Sequence, residues 1–158
     1  MKISNTIIIG YSGHAYVICD ILQRCGTQIA GYCDVQEKSE NPFNLTYLGR
    51  ESERDFGDDA VFIAIGDNKL RRKIYDSLYG KVNFGDAYHP SADIGFKSSL
   101  GSMVMLAPKS VINSLSTIGN GVIINSGAIV EHECDIGDFV HVAPGAILLG
   151  NVSVGEGS

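Results

Sequence analysis

The sequence contains no tryptophan and no excess of basic residues: 12 Lys and Arg stand against 18 Asp and Glu, giving a formal net charge of -6. A protein that binds nucleic acid through its phosphates needs a basic surface, so we do not expect nucleic acid as a partner. The one basic cluster contains Lys69, Arg71, Arg72 and Lys73, interspersed with apolar residues. We expect these four residues to form the solvated face of a helix.

Cysteine is scarce, and the sequence also lacks a long apolar run and a recognisable signal peptide. The four cysteines show neither the spacing of metal ligands nor that of a disulfide framework. We therefore expect a cytoplasmic protein that does not insert into a membrane and that holds no metal ion.

The first half of the chain predicts an α/β unit. The expected order is a buried strand at 7–9, a helix that ends near Gly26, strands at 28–33 and 61–65, a short helix at 50–55 at most, and an amphipathic helix at 68–78. A strand followed by a loop, a helix and another strand is typical of a parallel sheet.

Gly10, Ser12, Gly13 and His14 lie in the loop that joins the first predicted strand to the first helix. Free backbone N–H groups at such a helix N-terminus favour phosphate. Asp34 ends the next strand, where acids that bind ribose are found in dinucleotide folds. The loop does not match the Gly-x-Gly-x-x-Gly pattern of dinucleotide-binding folds. We therefore favour a nucleotide-sugar as the ligand of this loop, and NAD binding and a purely structural turn are the alternatives.

The second half of the chain repeats every six residues. The first position of each hexad is aliphatic throughout: Ile94, Leu100, Leu106, Ile112, Ile118, Ile124, Val130, Ile136, Val142, Leu148 and Val154. The fifth position is nearly always small or β-branched, and Cys134 holds one, so we interpret it as a core residue and not as a nucleophile. A period of six predicts a prism with three flat faces, in which three hexads complete one coil and the coils stack.

Two histidines interrupt this repeat, and neither takes the aliphatic position. His132 is followed by Glu133, a carboxylate that can orient the imidazole and stabilise its protonated form. We interpret His132 as a general base, the alternative being an exposed polar pair on the prism surface. His141 lies nine residues later, on an adjoining face or corner of the same coil.

The segment Ile123-Ile124-Asn125-Ser126-Gly127-Ala128-Ile129-Val130-Glu131-His132-Glu133-Cys134-Asp135-Ile136-Gly137-Asp138-Phe139-Val140-His141-Val142-Ala143-Pro144-Gly145-Ala146 resembles the hexapeptide-repeat sugar acetyltransferases of bacteria. That family includes UDP-4-amino-sugar N-acetyltransferases of the bacillosamine pathway, perosamine N-acetyltransferases and sialic acid O-acetyltransferases. Its N-terminal loop resembles Gly10-Tyr11-Ser12-Gly13-His14, its second ligand loop resembles Gly66-Asp67-Asn68 with Arg71, and the usual start of its β-helix resembles His89-Pro90-Ser91-Ala92. The resemblance covers nearly the whole chain and implies a left-handed parallel β-helix.

The resemblance also implies a role for individual residues. His132 corresponds to the catalytic base and Glu133 to its orienting partner. The residues implied to bind acetyl-CoA are His141 near the thioester, Gly150 through its backbone N–H, and Asn125 as a further contact. The residues implied to bind the nucleotide-sugar are Gly10, Ser12, Gly13, His14, Asp34, Gly66, Asp67, Asn68 and Arg71.

We therefore predict a Rossmann-like domain over 1–87 that binds a nucleotide-sugar, and a left-handed β-helix acyltransferase domain over 88–158. We expect the β-helix to be incomplete at its C-terminus, because members of the family continue for further coils. The family resemblance also implies a homotrimer with active sites between neighbouring prisms.

The predicted activity is direct transfer of an acetyl group from acetyl-CoA to the 4-amino group of a UDP-4-amino-4,6-dideoxy-sugar, with His132 as the base. Within the same class, an O-acetyltransferase that acts on sialic acid is the alternative. Two alternatives from other classes stay open: a β-helix protein that binds zinc between subunits, and a non-catalytic protein that binds sugar nucleotides.

Overall fold

The computed structural model describes residues 5–158. It begins with a parallel four-stranded sheet and its helices, here called the α/β unit. The unit consists of strand β1 (Thr6–Ile9), helix α1 (Gly13–Arg24), strand β2 (Ile29–Cys33), a 3₁₀ turn (Glu51–Glu53), strand β3 (Ala60–Ile63), helix α2 (Asn68–Leu78) and strand β4 (Asn83–Phe84). The strands and helices predicted for the first half are confirmed, and β4 is an addition to them.

Strand β1 lies inside the sheet, whose order is β2-β1-β3-β4. All four of its residues are buried, which explains the continuous apolar run. The chain passes from β2 to the other side of β1 to form β3. The carboxyl ends of β1 and β3 therefore border the crevice where the strand order reverses, which is the usual ligand position in such sheets.

The remainder of the chain forms three parallel sheets wound as a left-handed β-helix, here called the prism. The covered face consists of β5 (Ala87–Tyr88), β8 (Met105–Leu106), β11 (Ile123–Ile124) and β14 (His141–Val142). The apolar face consists of β6 (Asp93–Ile94), β9 (Val111–Ile112), β12 (Ile129–Val130) and β15 (Ile147–Leu148). The polar face consists of β7 (Ser99–Leu100), β10 (Thr117–Ile118), β13 (Asp135–Ile136) and β16 (Ser153–Val154).

Each prism strand is two residues long, and from β6 onward its second residue is the aliphatic residue of the hexad. Ile124 pairs with Leu106 and Val142 in the neighbouring coils, and all three lie in the prism core. The first residue of each strand points outward and gives its face its character. The outward row of the polar face consists of Ser99, Thr117, Asp135 and Ser153, whereas that of the apolar face contains Val111, Ile129 and Ile147.

The α/β unit packs against the covered face and buries most of its outward row. Ala87, Met105 and Ile123 share one hydrophobic cluster with β1, β3 and α1. The last residue of the same row is His141, which pairs with Ile123. This packing places one of the predicted site histidines beside the α/β unit. None of the helices between residues 5 and 158 is long and apolar enough to cross a membrane.

Arg71 fastens the α/β unit to the prism. Its side chain is 1% exposed, so the expectation that the basic cluster is a solvated helix face is wrong for this residue. All of its N–H groups have acceptors: the carbonyl oxygens of Ile65, Gly66, Gly121 and Phe139, and the side-chain oxygen of Asn68. Burial lowers the pKa of Arg71 to about 10, which leaves it protonated at neutral pH.

Candidate active site

His132 and Glu133 lie on the corner of the prism between the apolar and polar faces, here called the His132 edge. The imidazole Nδ1 is 3.0 Å from a carboxylate oxygen of Glu133, and both side chains are 59% exposed. When Nδ1–H donates to the carboxylate, Nε2 is the ring nitrogen that remains to accept a proton. The pair predicted from the sequence as base and partner is therefore hydrogen-bonded and accessible.

Glu133 is held in a left-handed backbone conformation, with a φ of 59°. Lys97, Leu115 and Asn151 occupy the same position in the other coils and have φ values of 61°, 67° and 60°. Met103, Lys109 and Phe139 adopt it at the other two corners, so the conformation is a property of this position of the hexad.

Gly150 lies one coil beyond His132 on the same corner. A Cβ at Gly150 would lie 2.6 Å from Nε2 and 2.7 Å from Cε1 of the His132 ring. The φ of Gly150 is not in the left-handed region, so glycine is required here for space and not for backbone freedom. Among the described residues 5–158, the Gly150 N–H has no acceptor.

His141 and Asn125 lie near the corner between the covered and apolar faces, here called the His141 edge. Asn125 Oδ1 accepts a hydrogen bond from the backbone N–H of Ser126 (2.8 Å), which orients the amide. Asn125 Nδ2 then donates to Nε2 of His141 at 2.9 Å. The structure therefore joins two residues that were assigned separately to acetyl-CoA binding.

His14, near the start of α1, faces this edge. Its ring centroid is 6.3 Å from that of His141. Burial, together with the nearby His141 and Arg71, lowers the pKa of His14 to about 4. Burial and the charge of Arg71 also lower the pKa of His141. Both rings are neutral at pH 7, and within the described part of the chain the buried Nε2 of His14 has no hydrogen-bond partner.

A cavity of about 450 Å³ occupies the crevice at the carboxyl ends of β1 and β3. Three predicted substrate residues line it, namely Gly10, Ser12 and Asp34, and Gly13 lines an adjoining cavity of about 470 Å³. Asp34 accepts a hydrogen bond from the backbone N–H of Tyr11 at 3.0 Å. The structure thus brings the N-terminal loop and Asp34 together around one open space.

Three charged residues that the sequence did not assign to the site also line the crevice: Lys38, Glu51 and Lys73. Lys38 Nζ is 3.1 Å from a carboxylate oxygen of Asp34. The spacing of four residues between Asp34 and Lys38 was the one available signal. Nothing in the sequence pattern distinguished Glu51 from other surface charges, and the basic cluster that contains Lys73 predicted only a solvated helix face.

The predicted second ligand loop lies between the crevice and the His141 edge. Asp67 caps α2, because its carboxylate accepts the N–H of Leu70 at 2.7 Å. Asn68 accepts a hydrogen bond from Arg71 at 2.8 Å, and a Cβ at Gly66 would lie 3.9 Å from the His14 ring. In this structure, therefore, the side chains of Asp67, Asn68 and Arg71 bind the protein itself.

The predicted site residues form two groups within one chain. His132, Glu133 and Gly150 lie on the His132 edge, across the prism from the covered face. Asn125, His141 and His14 lie on the His141 edge, next to the crevice of the α/β unit. The apolar face separates the two edges. Between residues 5 and 158, no group of three or more His, Cys, Asp or Glu side chains is placed to hold a metal ion.

Comparison with known proteins identifies relatives for both halves of this structure. A family model described as the PglD N-terminal domain matches residues 5–78. A histidine-to-asparagine variant of perosamine N-acetyltransferase from Caulobacter crescentus, in complex with CoA and GDP-perosamine, is 34% identical, with a TM-score of 0.89 over 98% of this chain and 75% of that chain. PerB from the same organism, also with CoA and GDP-perosamine, is 30% identical, with a TM-score of 0.85 over 98% of this chain and 84% of that chain.

The acetyltransferase domain of PglB from Neisseria gonorrhoeae is a further structural relative. It is 26% identical, with a TM-score of 0.85 over 97% of this chain and 77% of that chain. A comparison with curated protein sequences found no significant match. The identity and coverage of the perosamine N-acetyltransferase show the family. This chain belongs to the hexapeptide-repeat sugar acetyltransferases and is an acetyltransferase.

Proposed function

We propose that this enzyme transfers the acetyl group of acetyl-CoA to the amino group of a nucleotide-linked amino-sugar, with His132 as the general base. One observation carries the proposal: a Cβ at Gly150 would lie 2.6 Å from Nε2 of the exposed His132 ring, and the Gly150 N–H has no acceptor among residues 5–158. A proton acceptor next to a backbone donor is the arrangement that attack of an amine on a thioester requires.

In the proposed reaction the sugar amine attacks the thioester carbonyl carbon, and a C–N bond forms. His132 Nε2 takes the proton that the amine loses, and Glu133 stabilises the imidazolium through the bond to Nδ1. The Gly150 N–H donates to the carbonyl oxygen as negative charge develops on it. The C–S bond then breaks, and the thiolate of CoA leaves and receives the proton from His132.

We propose that the domain over 1–87 holds the nucleotide in its crevice and that the domain over 88–158 carries the acetyl transfer. The N-terminus of α1 supplies backbone N–H groups to phosphate, and Lys38 and Lys73 add positive charge to the same space. We propose His14 as a further sugar contact, because its buried Nε2 at the His141 edge has no partner among the described residues. The family resemblance makes a UDP-4-amino-4,6-dideoxy-sugar the first candidate, and a GDP-linked 4-amino-sugar the second.

We infer that a complete site needs two copies of the chain, assembled as a homotrimer. Ile147, on the outward row of the apolar face, is 60% exposed, and Leu149 beside it is 70% exposed. In a cyclic trimer with this face toward the axis, the His132 edge of one copy lies next to the His141 edge of the next. The base would then reach a sugar that is held by the neighbouring α/β unit.

The test measures release of free CoA thiol from acetyl-CoA in the presence of candidate acceptors. We expect turnover with a UDP- or GDP-linked 4-amino-sugar, and none with the matching 4-hydroxy-sugar, which lacks the amine. Thermal shifts with UDP, GDP and CMP identify the nucleobase that the protein recognises, because a ligand of the native state raises Tm. Turnover with sialic acid alone would replace the proposal by O-acetylation, and absence of turnover with every acceptor would reject it.

A further inference from the structure

Inside the His132 edge, three polar side chains stand one above another in successive coils. They hold the fifth position of their hexads, and each bonds a backbone carbonyl fifteen residues further along the chain. Ser98 donates to the carbonyl of Asn113 (2.8 Å), Ser116 to that of Glu131 (2.9 Å), and Cys134 to that of Leu149 (3.2 Å). We call these three residues the interior column.

The column is continuous, because each hydroxyl is an acceptor as well as a donor. Ser98 Oγ accepts the backbone N–H of Ser116 at 3.3 Å, and Ser116 Oγ accepts that of Cys134 at 3.2 Å. Ser116 and Cys134 are 1% and 2% exposed, so water does not compete for these bonds.

The other two corners of the prism lack such a column. Their interior fifth positions are apolar in most coils: Val104, Val122 and Val140 at one corner, and Ala128 and Ala146 at the other. Ser110, also at the second of these corners, has a buried hydroxyl without a partner in the described part of the chain. Stacking the coils therefore does not require hydrogen-bonding side chains at this position.

Two of the carbonyls that the column binds belong to the peptide groups of proposed site residues. The Glu131 carbonyl shares its peptide group with the N–H of His132, and the Leu149 carbonyl shares its own with the N–H of Gly150. Residues 5–158 contain no cis peptide bonds, and in a planar trans peptide the C=O and N–H point in opposite directions. Because the Leu149 carbonyl accepts its bond from the interior Cys134, the Gly150 N–H points away from the prism interior.

We propose that Ser116 and Cys134 are positioning residues for acetyl transfer: Ser116 fixes the backbone of His132, and Cys134 fixes the peptide group that presents the Gly150 N–H. This inference rests on the proposed function, in which His132 and Gly150 act on the acetyl group. A hydrogen bond to the carbonyl also polarises its peptide group and strengthens the N–H as a donor. Neither residue touches the reacting atoms.

The chain supplies a matched control in Ser98. Ser98→Ala removes the equivalent pair of bonds one coil away from His132. These are the bond that the hydroxyl donates to the Asn113 carbonyl and the bond that it accepts from the Ser116 N–H. We expect Ser116→Ala and Cys134→Ala to lower kcat on the order of tenfold at unchanged KM for the amino-sugar, since small misplacements of reacting groups are costly. Ser98→Ala should keep the kcat of the wild type, and Cys134→Ser, which retains a donor, should restore most of it. Equal losses in Ser98→Ala and Ser116→Ala, or no loss in Cys134→Ala, would overturn the proposal.

A second measurement does not depend on catalysis. The amide proton resonance of Gly150 should move upfield in Cys134→Ala, because the Leu149 carbonyl loses its thiol donor, and it should stay in place in Ser98→Ala. An unmoved Gly150 resonance in Cys134→Ala would overturn the positioning role even if the wild type were active. Conversely, a shifted resonance in a protein that acetylates no amino-sugar would reject the proposed function and keep the structural role of Cys134.

Discussion

The imidazole of His132 occupies the space that a side chain on Gly150 would need. A Cβ at Gly150 would lie 2.6 Å from Nε2 and 3.3 Å from Cδ2 of that ring. The two residues hold the same position in successive coils, because three hexads separate them. The coil repeat therefore places the proposed base against the proposed backbone donor without any contact from another part of the chain.

Gly150→Ala should abolish most of the activity. The added methyl group displaces the His132 ring, and loss of a correctly placed general base typically costs on the order of 10² to 10⁴ in kcat. Tm should change little, because the ring is exposed and can rotate away. Steady-state kinetics and thermal melting check this, with Gly155→Ala as the control, because a Cβ at Gly155 meets nothing within 4 Å. Equal losses in both variants would contradict the prediction.

His132→Gln should lower kcat by about 10² to 10⁴, the usual contribution of a general base. The side chain is 59% exposed, so folding should be unaffected. His89→Gln is the control: this half-buried histidine bonds Ser91 through Nδ1 (2.8 Å) and lies in the first coil, two coils before Asn125 and away from the His132 edge. Retention of activity in His132→Gln would show that another group takes the proton.

Glu133→Asn should raise Tm and lower activity. Asparagine tolerates the left-handed region, whereas glutamate adopts it at a cost of about 1 kcal/mol. Tm should therefore rise by about 2–4 °C, and kcat should fall because the His132 ring loses its partner. Lys97→Asn changes a residue in the same conformation (φ 61°) and should raise Tm without loss of activity. A drop in Tm in both variants would count against this account of the corner.

Stability should decrease as pH falls from about 6.5 toward 4. The pKa of His14 is about 4 in the folded protein, against an ordinary value of 6.5. The unfolded chain therefore binds a proton in this window that the folded chain does not, and folding loses up to roughly 2 kcal/mol after allowance for partial exposure. Denaturant unfolding of the wild type and of His14→Gln at several pH values measures the effect. The variant should show the weaker dependence, and equal slopes would contradict the prediction.

Arg71→Met should be strongly destabilising. It removes every hydrogen bond of the buried guanidinium and leaves the Gly121 and Phe139 carbonyls without that donor. Loss of such bonds costs about 1–3 kcal/mol for each buried group left unsatisfied. Arg72→Met on the same helix is the control: this side chain is 42% exposed and forms an ion pair with Glu156. Thermal melting should show a much smaller change for Arg72→Met, and similar melting of the two variants would refute the role of Arg71 as a fastener.

Local patterns predicted much of this structure. The hexad repeat depends only on residues close in sequence, and it placed Cys134 correctly in the prism core, where it is 2% exposed. Helix α2 has the predicted bounds, Asn68–Leu78, because Asp67 is a strong N-cap and the apolar residues follow helical spacing. Strand β4 was missed, because two residues are too few to show a period.

Contacts between the two halves of the chain could not be read from local patterns. The burial of Arg71 depends on carbonyls fifty or more residues away, at Gly121 and Phe139. The approach of His14 to His141 likewise follows from how the α/β unit packs on the covered face. Such long-range packing leaves no periodic signal in the sequence. The contacts of Arg71, His14 and His141 therefore could not be predicted from their sequence positions.

Arg71 also constrains the order in which the parts of the chain can reach their final packing during translation. A ribosome releases the α/β unit first, but the Gly121 and Phe139 carbonyls that Arg71 requires follow much later. Met103 and Ile123, which help to close the same hydrophobic cluster, also belong to the prism. The N-terminal half therefore cannot reach its final packing during early translation, and Arg71 gains its last acceptor only after the third prism coil has emerged.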